Sequence, residues 1–201
     1  VLNEACRQIK TWRTAGLSPM RVAINVSVRQ ILYDRLVDKV HAACKAAGLR
    51  LDEIDLEMEI TESVLQSAEQ SIDTLNALHD IGVKLSIDDF GTGYSSLSKL
   101  KHLPIDAIKI DRSFVQDIPS NPEGEAIVTA IIAMARTLKL NVVAEGVESR
   151  AQFEFLQTIG CNDAQGFLFD EPLTSVKFYQ LVGQGRYSSV FGGIARKIRE
   201  H

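Results

Sequence analysis

The sequence predicts a parallel α/β fold whose strands curl into a barrel with a polar interior. Three observations lead there. Strand-like and helix-like segments alternate six times with short connections, the pattern of strands that all run the same way. Most of the strand-like segments carry polar residues on one face: Ala23, Asn25 and Ser27; Asp55, Glu57 and Glu59; Lys84, Ser86 and Asp88; Ala107, Lys109 and Asp111; Asn141, Val143 and Glu145. Open parallel sheets covered on both faces are more apolar, whereas a closed barrel can hold charges inside and pair them. Finally, every strand-like segment ends on a residue able to bind a metal or move a proton: Asn25, Glu59, Asp88 with Asp89, Lys109, Glu145 and Gln165. No GxGxxG follows a strand, which leaves a dinucleotide-binding fold little support.

Taken in order, residues 2–15 are a predicted helix, because Leu2, Ala5, Cys6, Ile9 and Trp12 recur at helical spacing and Gly16 ends them. Residues 21–27 alternate as a strand. A second helix is predicted over 30–46 through Leu32, Leu36, Val40 and Ala43, closed by Gly48. The strand at 54–60 sets Ile54, Leu56, Met58 and Ile60 against the acids of its other face. A helix over 63–80 runs through Val64, Ala68, Ile72, Leu75 and Leu78 and ends at Gly82. The strand at 83–88 places Val83, Leu85 and Ile87 on one face and delivers Asp88 on the other, with Asp89 directly after it. Gly91 and Gly93 then free the backbone for a turn.

Further on come a short helix near 95–103, a strand at 107–111, a strongly apolar helix at 124–138, a strand at 141–145, a helix at 149–159, a strand at 163–167 and a helix at 175–182. The loop 117–124, with Pro119, Asn121 and Pro122, is the longest irregular stretch before the tail. Residues 1–183 read as one domain. Residues 184–201 are locally basic through Arg186, Arg196, Lys197 and Arg199 and read as a C-terminal helix or tail rather than a membrane anchor.

Composition narrows the class. With 201 residues the chain can bury one proper core. A net charge of −4 argues against nucleic-acid binding driven by bulk charge. Cys6, Cys44 and Cys161 are odd in number and far apart, which suits no disulfide framework or zinc spacing and fits a reducing cytoplasm. No apolar run approaches bilayer length, so no membrane contact by this segment is expected. His41, His79, His102 and His201 fall away from the strand ends and read as structural or solvated.

Several carboxylates crowded at one barrel mouth repel one another unless a cation compensates them. Oxygen ligands point to a hard cation such as Mg2+, Mn2+ or Ca2+. Two such cations about 3.5–4 Å apart are a standard device for activating water against a phosphate ester. Lys109 suits charge stabilisation or the positioning of a water. Taken singly, Lys109 could be a barrel-interior ion pair, Glu59 a helix cap and Asn25 a turn residue; six strands ending this way favour a site.

Six ordered motifs resemble those of the EAL domain family, bacterial cyclic di-GMP phosphodiesterases built on a modified TIM-like (β/α)8 barrel. They are Asn25-Val26-Ser27-Val28-Arg29-Gln30, Glu59-Ile60-Thr61-Glu62-Ser63, Asp88-Asp89-Phe90-Gly91-Thr92-Gly93-Tyr94-Ser95-Ser96-Leu97, Lys109-Ile110-Asp111-Arg112-Ser113-Phe114, Val143-Ala144-Glu145-Gly146-Val147-Glu148 and Gln165-Gly166-Phe167-Leu168-Phe169. The resemblance covers about residues 1–180. It implies hydrolysis of cyclic di-GMP to linear pGpG. It implies metal ligation by Asn25, Glu59, Asp88, Asp89 and Glu145, with Mg2+ or Mn2+ in a two-metal site and Ca2+ inhibitory. Lys109 would hold the attacking water, Glu145 and Asp89 would take part in catalysis, and Gln165, Asp111 and Gly146 would meet substrate. Glu62, with Gly91, Thr92 and Gly93, would stabilise the loop that starts at Asp89. A homodimer and sensory or cyclase-like domains upstream in a longer bacterial protein are also implied.

The family's Glu-Ala-Leu tripeptide does not occur in these residues, and six of the eight barrel strands are accounted for. An incomplete barrel, poor turnover by this segment alone and a tendency to associate are therefore expected, as is a parent chain supplying the missing strands. Two other readings are open. A cyclic di-GMP receptor that binds without cleaving would use the same motifs, although retention of Asp88, Asp89, Lys109, Glu145 and Glu62 argues against it. A lysine-dependent aldolase would need Lys109 with a depressed pKa, which the surrounding acids oppose.

Overall fold

Alternating apolar and polar side chains decide how the chain layers. The computed structural model describes residues 1–33, 35–93 and 97–184. Six parallel strands form one sheet in sequence order: β1 (Arg21–Val26), β2 (Asp55–Thr61), β3 (Lys84–Phe90), β4 (Ala107–Ile110), β5 (Asn141–Ala144) and β6 (Asp163–Ala164). The helices are α1 (Leu2–Thr14), α2 (Val28–Tyr33), α3 (Leu36–Ala47), α4 (Ala68–Asp80), α5 (Leu97–Leu100), α6 (Arg112–Gln116), α7 (Pro122–Thr137), α8 (Arg150–Thr158) and α9 (Ser175–Gly183).

The apolar strand residues Ile24, Val26, Leu56, Met58, Ile60, Leu85, Ile87, Ile108, Ile110 and Val142 form one core with the inner faces of the helices, including Val40, Leu75, Val128 and Leu156. The polar residues take the other face. Register pairs Asn25 with Glu59 and Glu59 with Ser86, so the interior side chains rise in layers. At the N-terminal ends of the strands, Arg21 on β1 contacts Asp55 at 3.2 Å and Glu57 at 3.2 Å. Burial opposes its charge, but these acids hold its pKa up, with a contribution from Asp163 on β6. An ion on the first strand thus senses one on the last, which requires a curled sheet. The result is a half-barrel with β1 and β6 as its edges, the incomplete TIM-like form expected.

Local departures have local causes. The helix expected over 30–46 is two helices, α2 and α3, because Arg35 takes a left-handed conformation with φ +47. The helix expected over 63–80 starts with a 3-10 segment, Glu62–Ser67, before α4. The strand expected over 163–167 keeps regular ladder pairing only at Asp163 and Ala164; beyond them the two chains stay bonded, Gln165 N to Ala144 O at 2.8 Å and Val147 N to Gln165 O at 3.0 Å, but Gly146 with φ +67 and Gly166 with φ +156 break the extended geometry. A short helix, α6, starts directly after β4, where the sequence carries no helical period; Asp111 caps it by accepting from Ser113 N at 3.0 Å. The tail assigned to 184–201 lies outside the described residues from 185 onward, as do residues 95 and 96 of the expected short helix. No helix of the described residues is long and apolar enough to cross a membrane.

Leu85 is fully buried near the start of β3. Leu85→Ala is expected to lower stability by about 2–5 kcal/mol through lost transfer energy and the cavity left behind. The midpoint of urea unfolding, at unchanged slope, measures it.

Candidate active site

Parallel strands present their last residues at one mouth, and the sheet's register brings four of those residues into contact. Lys109, on β4, is 5 % exposed. Its Nζ lies 2.7 Å from Glu59 Oε1, 3.0 Å from Asp88 Oδ1 and 2.7 Å from Glu145 Oε1. Gln165, just past β6, donates from Nε2 to Glu145 Oε1 at 2.9 Å. One cation thus joins β2, β3 and the end of β5. Burial disfavours the ammonium, but hydrogen bonds to Glu145 and Glu59 outweigh that and raise its pKa. A Schiff-base lysine needs the reverse, so the aldolase reading loses its nucleophile.

Asp89 follows Asp88 at a bulge in β3 and holds φ +54. That left-handed conformation costs about 1 kcal/mol for a residue with a Cβ, and it turns Asp89 toward the mouth. Ligand atoms of Asp88, Asp89 and Glu145 come within 4.8 Å of one another. Burial, then the neighbouring charges of Asp88 and Asp111, push the Asp89 carboxyl up, with Lys109 opposing. Burial likewise raises Glu145; Lys109 lowers it, and Asp88 and Glu59 raise it. A lone ammonium therefore leaves the crowding uncompensated. Three converging carboxylate oxygens in a partly exposed mouth could hold a hard divalent cation. Asn25 stands beside Glu59 by register but is exposed and takes part in none of these ion pairs.

The loop after β3 is pinned from below. Glu62 Oε2 accepts from Gly91 N at 2.9 Å and Gly93 N at 3.3 Å, while Thr92 Oγ1 donates to Asp89 O at 2.9 Å. A Cβ at Gly93 would lie 2.8 Å from Glu62 Oε1, so a larger residue there would push the Glu62 carboxylate off the loop amides. Beside the cluster opens a cleft of about 450 Å3, whose lining includes Asp89, Asp111, Glu145, Gly146 and Gln165. Asp111 sits on its wall while capping α6. The cleft also contains Arg112, Glu148, Phe167 and Asp170, which reasoning from strand ends missed because they lie on the connecting loops and at the start of α6.

Together these features define a class: a parallel barrel enzyme scaffold with an acidic, cation-ready mouth at the C-terminal ends of its strands. The chain belongs to the EAL domain family, whose profile matches residues 1–172. It is 48% identical over 174 residues to the cyclic di-GMP phosphodiesterase NbdA of Pseudomonas aeruginosa, covering 86% of this chain and 22% of that protein. The chain therefore spans about a fifth of that relative's length. Among solved structures it resembles the PaMucR phosphodiesterase in its c-di-GMP complex, at TM-score 0.82 and 44% identity, covering 88% of this chain and 71% of the other. It also resembles Klebsiella pneumoniae BlrP1 in a manganese and cyclic di-GMP complex, at TM-score 0.76 and 34% identity, covering 86% of this chain and 43% of the other. A calcium complex of BlrP1 matches comparably, at TM-score 0.76 and 35% identity, covering 87% of this chain and 44% of the other.

Lys109→Met would leave Glu59, Asp88 and Glu145 without their shared cation. These carboxylates are 13%, 14% and 15% exposed and can still hydrate. The loss is therefore expected at about 1–3 kcal/mol, below that of a fully buried pair. Urea unfolding of both proteins in a chelating buffer measures it.

Proposed function

We propose that this domain hydrolyses one phosphodiester of cyclic di-GMP, giving linear pGpG, in bacterial second-messenger signalling. The observation that carries this reading is the meeting of Lys109 with Glu59, Asp88 and Glu145 at the mouth of an EAL barrel, with Asp89 adjoining. In the reaction a water oxygen joins phosphorus, one ring P–O bond breaks and the departing sugar oxygen takes a proton. Asp88, Asp89 and Glu145 would hold divalent metal, with Glu59 and Asn25 completing the ligand set. Mg2+ or Mn2+ bound there supplies charge neutralisation at the phosphate and a more acidic water. Ca2+, with its looser coordination, binds but supports little turnover. Lys109, charged at working pH, positions the attacking water and balances charge. Gln165 orients Glu145 through their hydrogen bond, while Asp111 and Gly146 form the cleft wall against substrate. Glu62 fixes the loop through Gly91 and Gly93.

The direct test is conversion of cyclic di-GMP to pGpG by the complete protein with Mg2+ or Mn2+. Turnover is expected with either metal, with a fall of at least about a hundredfold in Asp88→Asn and Glu145→Ala. A protein that binds the nucleotide without cleaving it would establish the receptor reading instead. Residues 1–201 assayed alone are expected to turn over slowly, because the described sheet has two unpaired edges and the mouth is open on that side.

The reading includes a homodimer in the cytoplasm of a bacterium, with sensory or cyclase-like domains on the same chain. Support for the dimer comes from α7. Its Val128, Ile132 and Ala135 are buried, yet Ala126, Ala130 and Ala133 are exposed and Ile127 is 37% exposed, an apolar face beyond what the core uses. Coupling to the site runs through the loop that Glu62 holds. Sedimentation of the complete protein should show a dimer that Ile127→Glu weakens; a strict monomer with full activity at high dilution would refute it.

A further inference from the structure

Six carboxylates line the cleft: Asp89, Asp111, Glu145, Glu148, Asp170 and Glu171. Among the described residues a single cation lines it, Arg112 at the start of α6. Its stem is held in place. A Cβ on Gly146 would lie 2.5 Å from Arg112 Cβ, so the backbone directly after Glu145 packs on the arginine stem. Its far end is exposed and carries neutral bonds only: with the Gln116 amide turned to satisfy both groups, its oxygen accepts from Arg112 Nη2 at 2.7 Å and from Nε at 3.3 Å. Among the described residues, no carboxylate stands within ion-pair distance of this guanidinium. The other nearby cation, Lys109, is buried and taken up by three carboxylates.

A cleft walled by acids repels anions, yet a cyclic dinucleotide brings two phosphodiesters, each carrying one negative charge. Cations held by the strand-end carboxylates offset charge at the phosphate being cleaved. The other phosphate, across the ring, must find its own partner. We propose that Arg112 binds this second, uncleaved phosphodiester and thereby selects cyclic dinucleotides over esters with one phosphate. The inference rests on the phosphodiesterase reading above. A guanidinium suits the task because its planar fork donates two parallel hydrogen bonds to phosphate oxygens. Exchanging Gln116 for phosphate replaces neutral hydrogen bonds with charge-assisted ones.

The test compares hydrolysis of cyclic di-GMP with that of bis(p-nitrophenyl) phosphate, which has one phosphodiester, by the complete protein and its Arg112→Ala and Arg112→Lys variants. The ratio of kcat/KM for the two substrates should fall about tenfold or more in Arg112→Ala, chiefly through KM for the dinucleotide, and less in Arg112→Lys. An unchanged ratio, whether both activities persist or fall together, would overturn the proposal. If the unaltered protein cleaves neither substrate, the phosphodiesterase reading fails on its own. Calorimetric affinity for cyclic di-GMP then decides: loss of at least about tenfold in Arg112→Ala upholds the phosphate contact, and unchanged or absent binding overturns it. Arg112→Lys, which keeps the charge and the stem, serves both arms if the alanine variant fails to fold.

Discussion

Lys109 brings one positive charge into a group of carboxylates, and the arrangement of the strand ends depends on it. Glu59, Asp88 and Glu145 belong to three different elements, and each touches its Nζ. Without that ammonium they would repel one another. The same contact fixes the charge of Lys109 itself. Burial alone would favour the neutral amine, but two hydrogen-bonded carboxylates reverse the balance. The pair is thus mutually determined: the lysine keeps acids together, and the acids keep the lysine charged. This suits polarising and positioning work at a phosphate and is unsuited to nucleophilic amine chemistry.

Curvature of the sheet makes such a contact possible. In a flat parallel sheet, residues two strands apart would stand nearly 10 Å apart. Here Lys109 on β4 reaches Glu59 on β2, and Arg21 on β1 is sensed by Asp163 on β6. The apolar layer between strands and helices holds that curl. Leu56, Met58, Ile60, Leu85, Ile87, Ile108 and Ile110 are all buried, so every second residue of the central strands is committed to the core and its neighbours are committed to the interior. A shift of one residue in any of these strands would exchange the two sets.

The mouth is held in two ways. Glu145 is fixed by Lys109 and Gln165, and the backbone after it rests on the Arg112 stem. The stretch after Asp89 is different: it is held by side-chain acceptance at two glycine amides and by one threonine hydroxyl. Among the described residues, both glycine bonds converge on one buried glutamate, Glu62, while the threonine hydroxyl bonds back to Asp89 O.

The strand ends, the order of the elements and the polar side of the sheet were legible in the sequence, because period-two alternation and glycine stops act over a few residues. Asn25, Glu59, Asp88, Lys109 and Glu145 could be placed at one mouth from those signals alone, and the ordered motifs identified the family. Other features were decided by distances between segments far apart in the chain. Alternation gives the face of Lys109 but not which acids share it; that depends on curvature and register. Helical periodicity ran through Arg35, where a left-handed residue breaks the helix, and strand periodicity ran past Ala164, where glycines at 146 and 166 leave the extended conformation although the two chains stay hydrogen-bonded. Asn25 has the right register yet remains exposed at an edge, and Arg112 looks like an ordinary surface arginine until the fold sets it among acids in a cleft. The sequence by itself determined which side chains point inward, since that is a property of each strand. Only the tertiary structure decided which of them meet, since electrostatic contact falls off within a few ångströms and those ångströms are set by the packing of the whole sheet.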